Sequence, residues 1–136
     1  MSEPRGDAQT FLLPWPVSTN GLWRAFNGRN ILSAPARAWN KAAAMELMVQ
    51  RARPIKGPVT LLIELCSPYG RRFDLSNRIK IVEDLLVKNA VIEGDDDEIV
   101  REVIVRAGAY KGARVTVTPV DDEMRPWLAI REKVAA

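Results

Sequence analysis

Two acidic points set the chemistry this chain could perform: Asp74, and the run Asp95, Asp96, Asp97, Glu98. A hard divalent cation such as Mg²⁺ binds through one or two carboxylates together with water and phosphate oxygens. Carboxylates that converge on such an ion are the minimum equipment for metal-assisted phosphodiester hydrolysis. Convergence requires the strand after the acidic run to lie beside the strand before Asp74, which would bring both points to neighbouring positions on one sheet edge. The same residues also suit structural duty, because Asp is a favoured helix N-cap and acidic runs commonly form solvated turns. Spacing alone favours that structural duty.

If a helix starts at Asp74, Ser76, Asn77, Lys80 and Asp84 share one polar face, opposite Leu75, Ile79, Val82 and Leu86. Lys80 then either pairs with Asp84 at i,i+4 or holds a phosphate and stabilises charge during cleavage. The loop Pro16 to Arg24 mixes Ser18, Thr19 and Asn20 with Trp23 and Arg24, a set suited to gripping a sugar-phosphate backbone. Core packing is the alternative for Trp23. Arg29, Arg71, Arg72 and Arg78 extend a basic surface around the acidic points or simply decorate a solvated face.

The elements that must position these residues follow from pattern. Phe11 to Leu13 reads as a short strand that stops at Pro14 and Pro16, and Arg29 to Leu32 as a second one after Gly28. Ser33 is a helix N-cap with Pro35 in the first turn, and Ala36 to Arg51 is rich in helix formers. Val59 to Cys66 is an apolar strand. The stripe Leu75, Ile79, Val82, Leu86 predicts an amphipathic helix from about Asp74 to Asn89. Ile99 to Arg106 and Arg114 to Pro119 read as strands joined by a hairpin turn over Gly108 to Gly112. This order predicts an α/β chain of α+β type: a mixed sheet of about four to five strands with two main helices packed on it, in a single domain. That domain should span 10–120, with a flexible N-terminus over 1–9 and a C-terminal tail over 121–136.

Composition narrows the chemistry. The 136 residues contain no histidine and one cysteine, Cys66, which excludes histidine general bases, zinc cages and a disulfide framework. Any metal must be held by oxygen. Lys and Arg outnumber Asp and Glu by 20 to 17, a mild basic excess consistent with an anionic partner. No apolar stretch is long enough to span a bilayer, so the expectation is a cytoplasmic protein with no membrane partner.

In order and spacing, the motifs match a known pattern. They run from the Pro16, Ser18, Asn20, Trp23, Arg24 loop through the Gly28 to Ser33 strand and the Ser33-capped helix. They continue through the basic lead into Asp74, Leu75, Ser76, Asn77 with Lys80 and Asp84, then Asp95, Asp96, Glu98, Ile99. From about Phe11 to Pro119 the chain resembles the RusA family of Holliday junction resolvases. The resemblance implies a homodimer in a bacterial, phage or prophage-like context that uses Mg²⁺, with Mn²⁺ as a substitute, to nick opposing strands of branched DNA. It implies catalytic roles for Asp74, Lys80 and Asp96, metal ligation by Asp74, Asp96 and Asp95, and DNA contacts from Asn20, Trp23, Arg24, Arg71, Arg72 and Asn77.

One position departs from the family pattern, which has Asp, one residue, a second Asp, then Asn. Ser76 holds the second acidic position, and a hydroxyl is a poorer ligand for a hard cation. Asp95, Asp97 or Asp84 could supply the missing charge, water could fill the place, or the protein could bind junctions without cutting them efficiently. Retained cleavage is the expectation, with Asp84 partnering Lys80. The alternatives are a catalytically attenuated branched-DNA-binding protein and a structural domain whose acidic run merely caps strands.

Overall fold

The structure is a computed structural model, and it describes residues 6–121. The expected tail 121–136 therefore lies, apart from Asp121, outside the described residues. In chain order the elements are β1 (Gln9–Leu13), a 3₁₀ turn (Thr19–Gly21), β2 (Trp23–Phe26), β3 (Arg29–Leu32) and α1 (Ala34–Val49). There follow β4 (Val59–Cys66), a second 3₁₀ turn (Leu75–Arg78), α2 (Ile79–Lys88), β5 (Val100–Ala107) and β6 (Gly112–Pro119). Four strands form a mixed sheet in the order β1-β6-β4-β5, with β5 parallel and β6 antiparallel to β4, and β2 and β3 form a separate two-stranded ribbon. The expected α+β domain is what forms.

The core follows the period of each element. Along β4, Val59, Leu61, Ile63 and Leu65 are buried and alternate with half-buried Thr60, Leu62, Glu64 and Cys66. Val115 and Val117 of β6 and Phe11 and Leu13 of β1 extend the buried face. Ala36, Trp39, Ala43 and Leu47 of α1 join the same cluster as Ile81, Val82, Leu85 and Leu86 of α2. α1 starts where expected, because the Ser33 hydroxyl accepts from the Ala36 N–H at 3.2 Å. Trp39 donates its indole N–H to the Pro14 carbonyl at 2.9 Å, so the proline-rich loop is tied to the helix.

Several expectations need correction. Strand β1 begins at Gln9 rather than Phe11, because its antiparallel ladder with β6 already pairs Gln9 with Val117, and the Gln9 side chain bonds both the N–H and the carbonyl of Arg53. The Gly108 to Gly112 segment is no hairpin: β4 lies between β5 and β6, and the segment carries the chain across the end of β4. A tight passage explains its glycines. A Cβ on Gly108 would lie 2.9 Å from Glu64 Cβ, and Gly112 has φ +127 with the Leu13 carbonyl 2.6 Å from any added Cβ. The second helix begins as a 3₁₀ turn, and only Ile79 onward is α-helical. The 3₁₀ turn advances about 120° per residue instead of about 100°, which rotates the stripe. Ile81 and Leu85 are thus buried with Val82 and Leu86, while Leu75 and Ile79 are only partly buried. Trp23 and Arg24, read from sequence as the end of a loop, form a strand with Ala25 and Phe26.

Candidate functional site

Because β4 and β5 are parallel, the end of β4 and the start of β5 lie at opposite ends of the sheet. Neighbouring strands alone therefore do not bring Asp74 to the acidic run. The 3₁₀ turn Leu75–Arg78 packs beside β5, the sheet's edge strand, and places Asp74 along that edge. Residues 95–98 form the turn that starts β5, where Ile99 and Val100 donate to the Asp96 carbonyl at 3.1 and 2.8 Å. From the first turn of α2, Lys80 Nζ reaches Asp95 Oδ2 at 3.2 Å and Asp84 Oδ1 at 3.1 Å. One cation thus joins the helix behind Asp74 to the acidic turn.

The carboxylates differ in what holds them. Asp74 occupies an N-cap position with extended backbone, φ -87 and ψ 120, yet its side chain caps no helix N–H. Its Oδ2 instead accepts from Asn77 Nδ2 at 3.3 Å, so Asp74 is oriented by a side chain and not used up by the helix end. Asp96 does perform turn duty: Oδ1 accepts from the Glu98 N–H at 2.9 Å. Its Oδ2 lies where a Cβ on Gly94 would come within 3.1 Å. Asp74, Ser76, Asp95, Asp96 and Asp97 are all exposed.

Lys80 is held protonated above its ordinary value by its hydrogen bonds to Asp84 first and Asp95 second. Both ion pairs are exposed, so their worth is positional more than energetic. Neighbouring Glu83 is pushed up by burial, with Lys80 pulling the other way.

For a hard cation the donors are right in type: exposed carboxylate oxygens, with the Lys80 ammonium paired to one of them. Among the described residues no three acidic or thiol groups lie together as a ready metal cluster. The contacts that hold these groups join Asp74 to Asn77 and Asp95 to Lys80, and none of them joins Asp74 directly to the acidic turn.

The proposed DNA contacts divide. Asn20, Trp23, Arg24, Arg71 and Arg72 are exposed, and Trp23 at 55% cannot be the core residue that was its alternative. Asn77 is half-buried and holds Asp74. Arg78 is no surface cation. Its guanidinium stacks on the Trp15 ring at 4.3 Å and donates Nη1 to the Pro16 carbonyl, with burial lowering its pKa. Trp15 in turn meets Phe73 edge-on at 4.8 Å, and Thr19 Oγ1 donates to the Asn77 carbonyl at 2.9 Å. These contacts clamp the residue 15–21 loop to the Asp74 segment. Sequence reasoning missed them, although Trp15 beside two prolines was a visible signal of a packed loop.

Fold and site together define a single-domain α+β protein whose carboxylates and lysine suit phosphodiester chemistry. The chain belongs to the RusA family: the model described as endodeoxyribonuclease RusA matches residues 14–118. Crossover junction endodeoxyribonuclease RusA of Escherichia coli strain K12 is 35% identical over 109 residues, covering 78% of this chain and 88% of that protein. The protein of the same name from Enterobacteria phage 82 is 35% identical over 115 residues, with the same coverage. The one from Shigella sonnei strain Ss046 is 34% identical over 109 residues, again covering 78% and 88%.

Proposed function

We propose that this chain is an endodeoxyribonuclease that acts on four-way DNA junctions, nicking opposing strands as a homodimer with Mg²⁺ or Mn²⁺. Its setting would be the cytoplasm of a bacterium or of a phage-infected cell. The observation that supports the reading is Lys80, which joins α2, the helix that follows the Asp74 turn, to Asp95 of the acidic turn. Asp74 and Asp96 are assigned as metal ligands, with Asp95 as the anion that fixes Lys80. The metal, when bound, supplies a Lewis acid for the scissile phosphate and lowers the pKa of an attacking water. Asn77 keeps the Asp74 carboxylate in one orientation, and the Glu98 N–H does the same for Asp96. Lys80, protonated throughout the neutral range, offers positive charge to the pentavalent phosphate. Arg71, Arg72 and Arg24 contact phosphates, while Asn20 and Trp23 help to place the strand.

A specific observation favours a second reading, a branched-DNA-binding protein with attenuated cleavage. Ser76 stands exposed where the family pattern has a carboxylate, and no third acid among the described residues completes a cluster.

Cleavage of a labelled synthetic four-way junction and a matched linear duplex separates the two. Symmetric junction nicking with Mg²⁺ that disappears in Asp74→Asn and Asp96→Asn establishes the nuclease. Faster cutting by Ser76→Asp then shows that the serine attenuates a working site. Tight, salt-sensitive junction binding by the intact protein without any cutting establishes the second reading instead.

A further inference from the structure

Strand β2 buries no residue in the core, and the β2–β3 ribbon meets the core at its base through Leu32 and joins no other strand among the described residues. Its register pairs Arg24 with Ile31 and Phe26 with Arg29, so these four side chains share one face. Asn27 and Gly28 close the ribbon with φ 48 and 74, the double positive φ of a tight type I′ turn. Phe26 and Arg29 therefore flank the tip directly. All four residues of β2 are exposed, and Phe26 leaves 52% of its surface in water. The Arg24 guanidinium lies 5.5 Å from the Phe26 ring centroid.

Charge selects what such a tip can meet. Between Asp7 and Glu46 the chain has no acidic residue, so the ribbon is purely cationic. Its base is fixed to the acidic site. Ser33 donates its N–H to the Leu22 carbonyl and its hydroxyl to the Gly21 carbonyl, at 2.8 and 2.5 Å, and Thr19 is bonded to Asn77. A two-stranded ribbon is narrow enough for a DNA groove about 12 Å wide. Arginines alone would suffice for phosphates, whereas an exposed ring at the tip suits the face of a base. A continuous duplex keeps its bases stacked; a branch point offers base faces at its ends.

We propose that Phe26 is a wedge: the β2–β3 ribbon enters the branch point and Phe26 stacks on an exposed base, while Arg24 and Arg29 hold the flanking phosphates. The proposal rests on the junction-nuclease reading and places branch selectivity in the ribbon, apart from the acidic site.

The test is binding, without divalent cation, of a four-way junction carrying a fluorescent adenine analogue at the branch, compared with a duplex carrying it internally. The intact protein should raise the fluorescence of the junction only. Phe26→Ala should abolish that rise and weaken junction binding about ten-fold while leaving duplex binding unchanged. Phe26→Tyr should restore both, which shows that the ribbon still folds. Arg24→Ala and Arg29→Ala should keep the rise but each reduce the salt slope by about one for both DNAs. Unchanged fluorescence and junction affinity in Phe26→Ala overturn the wedge alone, provided the intact protein cuts junctions. An intact protein that neither binds nor cuts junctions overturns the nuclease reading and the wedge with it. Phe26→Ala that alters sedimentation but not DNA binding makes the ribbon a subunit contact and also overturns the wedge.

Discussion

Removing the Arg78 guanidinium should loosen the chain at one identifiable place. The group stacks on Trp15 at 4.3 Å and donates to the Pro16 carbonyl, and Trp15 leans on Phe73, the residue before Asp74. A partly desolvated cation–π contact contributes about 0.5–2 kcal/mol. A hydrogen bond from a charged donor contributes about 1.5–3 kcal/mol. Against these, Arg78 Nε is buried without a partner among the described residues, and its removal recovers about 1–3 kcal/mol. The net expectation for Arg78→Ala is a loss of about 2 kcal/mol, or a fall in Tm of roughly 5–10 °C for a domain of this size. Lysine keeps the charge but not the planar stacking surface, so Arg78→Lys should recover only part of the loss. Thermal unfolding followed by circular dichroism measures these shifts. Junction binding across a salt series supplies the second readout. An inward-facing arginine leaves the salt slope of Arg78→Met unchanged, whereas a phosphate-contacting one would lower it by about one. An unchanged Tm together with a reduced slope would refute the clamp and return Arg78 to the DNA-facing surface.

Other perturbations probe the acidic edge. Gly94→Ala puts a Cβ 3.1 Å from Asp96 Oδ2, and if Asp96 holds the metal, single-turnover cleavage should fall about ten-fold with Tm almost unchanged. Lys80→Gln should cut the cleavage rate by about 100- to 1000-fold while stability stays level, because both of its ion pairs are exposed. Glu83 has a folded-state pKa raised above 4.5 by burial, so its contribution is fully present below that pH and is lost as pH rises through the folded value. Urea titrations should therefore find Glu83→Gln more stable than the intact protein at neutral pH, with the difference vanishing below about pH 4.5.

Much of the fold was legible because single elements carried strong local signals. The apolar run Val59 to Cys66 and the Ser33 cap formed their strand and helix, and the apolar stripe of the second helix formed α2, though only from Ile79 after a 3₁₀ turn. What failed was long-range. Nothing within Gly108 to Gly112 reveals that β4 stands between the strands it connects, since a crossing over a strand end and a hairpin both need glycine. Arg78 looked like surface charge because sequence does not show that Trp15 lies beneath it. Residues 23–26 hid as a strand because both faces of β2 are exposed, which removes the burial alternation that marks a strand.

The acidic motif illustrates the same limit in the opposite direction. In an α-helix, residues 74 and 76 would be rotated by about 200°, on opposite faces, and could not share an ion. An Asp-x-acid spacing therefore makes sense only if its first member stands outside the helix. That is the arrangement found: Asp74 is extended, a 3₁₀ turn follows, and the regular helix waits until Ile79. Asn77, three residues on, returns to Asp74, donating from Nδ2 at 3.3 Å. The 3₁₀ turn that shifted the predicted core stripe is thus the device that frees Asp74 from capping. Ser76 lies on that turn, exposed, so a carboxylate placed there would displace no core side chain. This makes Ser76→Asp a substitution the fold should tolerate, and its effect on cleavage a measure of the site itself.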